Sequence, residues 1–319
     1  MALTHLAGFS IRRKLFGSTL ATLLAAASSA GNTAETVVDC GGLSVSFDFN
    51  EYVAAEVQPS VPLQQQREFI DAFCAEVENV RGWFIRQQWL PDQNSSPLPP
   101  LGRNGSYLPR TQLRIFVANE YKISMSLVPA WSGLRGRMEF PAPEVIDGEA
   151  AIAHEIAHVY FPNGNRMLAE GLPIYLQHEI GRNPAFPDFK SDLHQMMRDM
   201  TCPRGFLPNG LDLISLVRFD RLATPDMLTL RIGRTVNANS AQLYPIAGSF
   251  VQFLIENLGA PETSGSRMEK FRKLYLLTPL VPFEREPGKP DRWEAVYGKP
   301  LSYLEAQWKS FIETKKCSQ

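Results

Sequence analysis

The spacing of hydrophobic positions changes about midway along the chain. Before residue 149 short alternating runs dominate, and after it the helical period does. "GLSVSFDF", from Gly42, alternates apolar and polar residues and predicts a strand. Residues 63–90 place Phe69, Ile70, Phe73, Val77, Val80 and Phe84 at helical spacing, which predicts one long amphipathic helix. Residues 91–109 are rich in Pro, Gly, Ser and Asn and predict a loop or a boundary. Strand-like runs follow at 113–118, 122–128 and 137–140. Next comes "AAIAHEIAHVYF", residues 150–161, an apolar run that reads as helix. "FPNGN" breaks it, and a second helical run starts near Arg166 with Leu168, Leu172, Tyr175 and Leu176 on one face. Asp147 is expected to cap the first of these helices, since a carboxylate accepts from the free amides of a first turn, and Glu149 reads as a second capping charge. The order predicts an α+β fold. A small N-terminal mixed region with strands is expected, followed by a mainly helical C-terminal half.

Composition adds little to that outline. The chain has 319 residues, 44% hydrophobic and 20% charged, with a net charge of −1. The balance suits a buried core and gives no sign of a nucleic-acid partner. The N-terminus differs. Arg12, Arg13 and Lys14 precede "LFGSTLATLLAAASSA", an apolar run ending in small residues. Basic, apolar, then small is the order of a secretory signal, with cleavage expected near Ala30. The run is short for a bilayer, so no stable membrane span is expected after cleavage. Cys40, Cys74, Cys202 and Cys317 all lie beyond that point. An even count in an exported chain predicts two disulfides. Of the three pairings, one that includes Cys40–Cys74 is favoured because it joins neighbouring elements.

The candidate chemistry lies in the 150–161 run. His154 and His158 are four residues apart, so on a helix both imidazoles share a face and can offer nitrogens to one zinc ion. Glu155 projects beside such an ion, placed to take a proton from the water there. Two histidines and a carboxylate in an apolar helix need partners, because each unpaired polar group costs roughly 2–7 kcal/mol to bury. A third ligand is required for a hydrolytic site. The residues leave His178, His194 or a carboxylate open for it. Glu170 is bracketed by Leu168, Ala169 and Leu172, a poor setting for a solvated charge. Gly171 is expected to let the two helices approach closely.

"HEIAH" followed by "LAEGLPIYL" resembles the gluzincin zinc metallopeptidases, and the short spacer looks most like their peptidase-MA-like group. Leu168, Glu170, Gly171 and Tyr175 match the group's pattern, while Pro173 replaces its usual alanine. The resemblance implies a gluzincin-like fold, zinc ligands His154, His158 and Glu170, and Glu155 as general base. "YPIAGSFVQFLIENLG" at 244–259 and "WEAVYGKPLSYLEAQWKSFI" at 293–312 resemble the family's later helix and closing segment. The likeness covers roughly residues 110–319. With the signal pattern at 1–30, it divides the chain into that signal peptide, an N-terminal region of unknown role at 31–110, and a zinc metallopeptidase-like catalytic domain at 111–319. Within that domain the sheet is expected at 111–145, the metal-binding helices at 147–180 and a helical lobe at 190–319. Tyr244 is a candidate donor to the oxyanion of peptide hydrolysis, with Tyr175 as its competitor. In "GRMEFP" Glu139 is a candidate amine binder by analogy with the aminopeptidases of the superfamily, and residues 135–140 are expected to form the edge strand that pairs with an extended peptide. His178 and Glu179 are candidates to support a ligand imidazole, and Trp131 to line a pocket.

The expectation is therefore an exported zinc-dependent peptidase acting on a peptide or protein substrate. The alternatives are a non-catalytic exported zinc-binding domain and a zinc amidase acting on cell-wall material. Bond preference and oligomeric state stay open.

Overall fold

The structure, a computed structural model, describes residues 36–53, 56–90, 111–121, 124–127, 135–181, 192–203, 205, 211, 214–220, 230–232, 236–238, 240–259, 263–278 and 291–318. The expected signal segment, the 91–109 loop and Trp131 lie outside these residues.

A five-stranded mixed sheet carries the first half. Its strands are β1 (Thr36–Cys40), β2 (Leu43–Asp48), β5 (Gln112–Ala118), β6 (Met125–Leu127) and β7 (Gly136–Pro141), in the order β1-β2-β5-β7-β6. The central strands β2, β5 and β7 run parallel, and β1 and β6 pair antiparallel at the two rims. A short hairpin, β3 (Asn50–Val53) with β4 (Glu56–Pro59), follows β2. Alternation decides which side is covered. Val45, Phe47, Leu113, Ile115, Met138 and Phe140 are buried on one face, while Ser46, Arg114 and Arg137 alternate with them on the other.

Helix α1 (Leu63–Arg86) packs on the buried face with the residues its periodicity selects. Phe73 meets Phe47 edge-on at 5.5 Å and Phe69 meets Phe140 at 5.3 Å. Each phenyl buried this way contributes about 1.5–3 kcal/mol. The Cys40–Cys74 disulfide fastens the end of β1 to α1, as expected. Among the described residues the sheet includes strands from both sides of residue 110. Strands β1 and β2 and helix α1 complete the same sheet and core as β5 and β7, and residues 35–319 form one unit. The sheet expected at 111–145 begins instead at Thr36.

The helical half begins with α2 (Ala142–Ile146), α3 (Ile152–Tyr160) and α4 (Arg166–Ile180), the last running through Pro173. Then come α5 (Leu193–Met200), α6 (Leu216–Phe219), the small β8–β9 ribbon (Leu230–Ile232 with Val236–Ala238), and α7 (Ser240–Gln252). A π-helical turn, Phe253–Asn257, continues α7. Helices α8 (Ser264–Leu277), α9 (Arg292–Tyr297) and α10 (Leu301–Glu313) close the chain's described part, with Gly298 in the left-handed conformation between α9 and α10. The second disulfide, Cys202–Cys317, ties the segment after α5 to the segment after α10. The α+β class, with a small mixed sheet and mostly helical remainder, is the one the sequence predicts.

A buried polar chain holds α5, α7 and α10 together. Trp308 Nε1 donates to Ser249 Oγ at 3.0 Å, and that oxygen lies 2.9 Å from His194 Nδ1. His194 Nε2 lies 3.1 Å from Asn257 Oδ1. An amide oxygen can only accept, so Nε2 carries the proton and Nδ1 accepts from the serine hydroxyl. His194 is thus a neutral structural residue and not a third ligand.

Candidate metal centre

Three donors converge where α3 meets α4. His154 Nε2 and His158 Nε2 are 3.1 Å apart. Glu170 Oε2 lies 3.4 Å from the first and 3.5 Å from the second. This is the group among the described residues that could hold a metal ion. Donors about 2.0–2.1 Å from a tetrahedral ion stand about 3.3 Å from one another, so the triangle fits such an ion. Protons alone satisfy it poorly: one proton bridges two of the three atoms, whereas one cation serves all three. Two imidazole nitrogens and a carboxylate oxygen are a donor set that zinc and other first-row divalent ions accept.

Each donor is held by its element. The helical period puts His154 and His158 one turn apart on α3. Both ends of that helix are clamped. At its start, Gln177 of α4 accepts from the His154 backbone N–H at 3.0 Å. At its end, the buried Arg135 donates through Nε to the Val159 carbonyl at 2.9 Å and through Nη2 to the Tyr160 carbonyl at 3.0 Å. A cation at a helix C-terminus also meets the negative end of the dipole. Asp147 does not cap α3. It ends α2, with Gly148 in a left-handed turn behind it and Glu149 exposed, and the residue preceding α3 is Ala151. The amide of Gln177 takes the place that a local carboxylate was expected to fill.

Glu170 is 3% exposed. Burial alone would raise its carboxyl, but the imidazoles of His158 and His154 and the Arg166 guanidinium outweigh burial and hold it well below the usual carboxylate range. Asn165 starts α4 properly, accepting from Leu168 N, and its own amide donates to Asp220. Gly171 is a point of close approach, but to α7 rather than to α3. A Cβ there would lie 2.5 Å from Val251 and 2.8 Å from the Ala247 carbonyl oxygen. That contact sets α7 against α4 and brings Tyr244 to the cluster.

Glu155 lies beside the triangle and is not one of its corners. It is buried, and no described protein group meets its Oε2 or the Nδ1 of His154. Burial pushes the Glu155 carboxyl up to about 7, against the pull of His154. Ser126 on β6 donates to the Glu155 backbone carbonyl at 3.0 Å, joining the rim strand to α3. Tyr244 stands with its ring 6.0 Å from that of His154, edge-on. Burial and the Glu170 carboxylate raise its phenol, and Arg166, which donates to it, opposes them. Tyr175 lies elsewhere: it packs on Trp83 and bonds to Glu256.

Two other expectations change. Residues 136–141 are an inner strand, paired on both sides, and the edge strand beside α3 is β6. Glu139 projects to the face opposite Met138, where Arg137 pairs with it at 2.6 Å and stacks over Phe116. Glu139 therefore faces away from the metal cluster. Glu179 is exposed, and the supports of the ligand residues that the sequence did not single out are Gln177 and Arg166. Arg166 was signalled by its spacing, four residues before Glu170 on one helix. Gln177 carried no such signal. Comparison of the chain with family models, with curated proteins and with solved structures finds no match.

Proposed function

We propose that the protein is an exported zinc-dependent peptidase of gluzincin type. The observation that carries the reading is the triangle of His154, His158 and Glu170 with Glu155 next to it, buried and with one oxygen uncommitted. A structural zinc site would need no such neighbour. A divalent ion held by the three donors supplies Lewis acidity, which acidifies water and polarises a carbonyl. Glu155 accepts the proton of the attacking water on its free oxygen and returns it to the departing amine. The Tyr244 hydroxyl donates to the carbonyl oxygen as negative charge develops there. Among the described residues strand β6 pairs with β7 on one side, and an extended peptide backbone would pair along its other side. The two disulfides fit an oxidising compartment, and among the described residues no helix is long and apolar enough to cross a membrane.

The test is Glu155→Gln. The variant should keep the wild-type metal content by mass spectrometry and lose peptide hydrolysis by about 10²–10⁴-fold on a fluorogenic peptide library. Hydrolysis at the wild-type rate would remove Glu155 from the mechanism. Cell-wall fragments run in parallel, with and without chelator, separate peptidase from amidase action.

A further inference from the structure

The two oxygens of Glu170 have different neighbours. Oε2 faces both imidazole nitrogens, at 3.4 and 3.5 Å. Oε1 lies 2.7 Å from Nη1 of Arg166, one turn earlier on α4. The same guanidinium donates to the hydroxyl of Tyr244, a residue of α7 whose ring stands 6.0 Å from that of His154. An exposed pair at this spacing contributes little, but the Glu170 carboxylate is buried, so this pair is not a solvated surface contact.

A guanidinium has donors and no acceptor. Two consequences follow for the groups it touches. Oε1 is engaged in a charge-assisted hydrogen bond, so a cation among the three donors meets one carboxylate oxygen and not two. A carboxylate that gave both oxygens would raise the centre to five coordinates and crowd the water position that a hydrolytic centre must keep. In the contact with Tyr244 the phenol oxygen must accept, so the phenol's own proton is turned toward some other acceptor. One side chain thereby sets the denticity of a ligand and the direction of a hydroxyl.

We propose that Arg166 is a positioning residue for this centre: it restricts Glu170 to single-oxygen coordination and orients the Tyr244 hydroxyl as a donor to the reacting carbonyl. The proposal rests on the metal-dependent hydrolytic reading given above.

The test uses the full chain, stripped of metal and titrated with Co²⁺, whose visible absorption is stronger in four-coordinate than in five-coordinate sites. Wild type, Arg166→Lys, Arg166→Met and Tyr244→Phe are compared. Arg166→Met should bind Co²⁺ at the wild-type ratio with weaker bands per bound ion, and Arg166→Lys should recover most of the intensity. On a fluorogenic peptide library Arg166→Met should lower kcat by about 10²-fold, the loss typical of one oxyanion donor. Tyr244→Phe added to it should lower kcat little further. An unchanged Co²⁺ spectrum in Arg166→Met, or fully additive losses with Tyr244→Phe, overturns the proposal. A wild-type protein that binds no Co²⁺ overturns the metal reading beneath it. One that binds Co²⁺ but cleaves nothing overturns the hydrolytic reading and the Tyr244 role, and the spectra then judge Glu170 alone. If Arg166→Met does not fold, Arg166→Gln, a donor without charge, replaces it in the same comparison.

Discussion

Lowering the pH from 7 to 5 should cost the folded protein about 2 kcal/mol through one side chain, His194. Its ring is 2% exposed and its two nitrogens are committed to Ser249 and Asn257. Protonating Nδ1 would set a second N–H against the serine hydroxyl, which already accepts from Trp308 and would have to turn its own proton away. Burial lowers the imidazole to about 4. The Asp192 carboxylate and the bond to Asn257 oppose that shift, and Lys315 and His178 reinforce it. An unfolded histidine titrates near 6.5, so between that pH and 4 the unfolded chain binds more protons than the folded one. The stabilisation is complete above 6.5 and is lost as the pH falls through that window. The displacement of the imidazole from 6.5 to about 4 amounts to roughly 3 kcal/mol, most of it lost by pH 5. Urea unfolding of wild type and His194→Gln at pH 7 and pH 5 measures it. The glutamine variant is expected to be less stable at pH 7, but its stability should fall about 2 kcal/mol less between the two pH values. Equal losses in the two proteins would refute the assignment of a buried neutral imidazole.

Gly171→Ala tests the contact between α4 and α7. Helix propensity favours alanine by about 1 kcal/mol, but the added carbon would lie 2.8 Å from a backbone oxygen, which cannot step aside. Overpacking should win, with a net loss of about 1–2 kcal/mol and a lower thermal midpoint; a raised midpoint would show that the helices part freely. Arg135→Met leaves the Val159 and Tyr160 carbonyls without their donor and should cost about 2–4 kcal/mol in denaturant unfolding. A variant as stable as wild type would mean that water replaces the guanidinium at no cost.

Much of this was legible where the information is local. The period of α1, the break at "FPNGN" and the restart at Arg166 all follow from spacing and from Pro, Gly and Asn chemistry. The three donors were legible because helical spacing puts His154 and His158 on one face and the flanking leucines mark Glu170 as buried, although Glu170 was named through a resemblance. What was not legible depends on register across distance. Strands β2 and β5 pair across more than sixty residues, Ser44 opposite Gln112, and no local pattern announces that. The edge was assigned to "GRMEFP" by analogy with the aminopeptidases, whereas the edge strand is Met125–Leu127, inside the run at 122–128 whose pattern marks a strand but not its place in the sheet. Asp147 looked like a cap because caps are normally local, whereas Gln177 reaches α3 from another helix.

The Cys202–Cys317 link also bears on biosynthesis. Its two halves are 115 positions apart, and Trp308, which completes the polar chain through Ser249, is as late as the second cysteine. A ribosome delivers the first cysteine long before either. The helical half therefore cannot lock while the nascent chain is still growing, and its final closure waits for an oxidant after synthesis has passed residue 317.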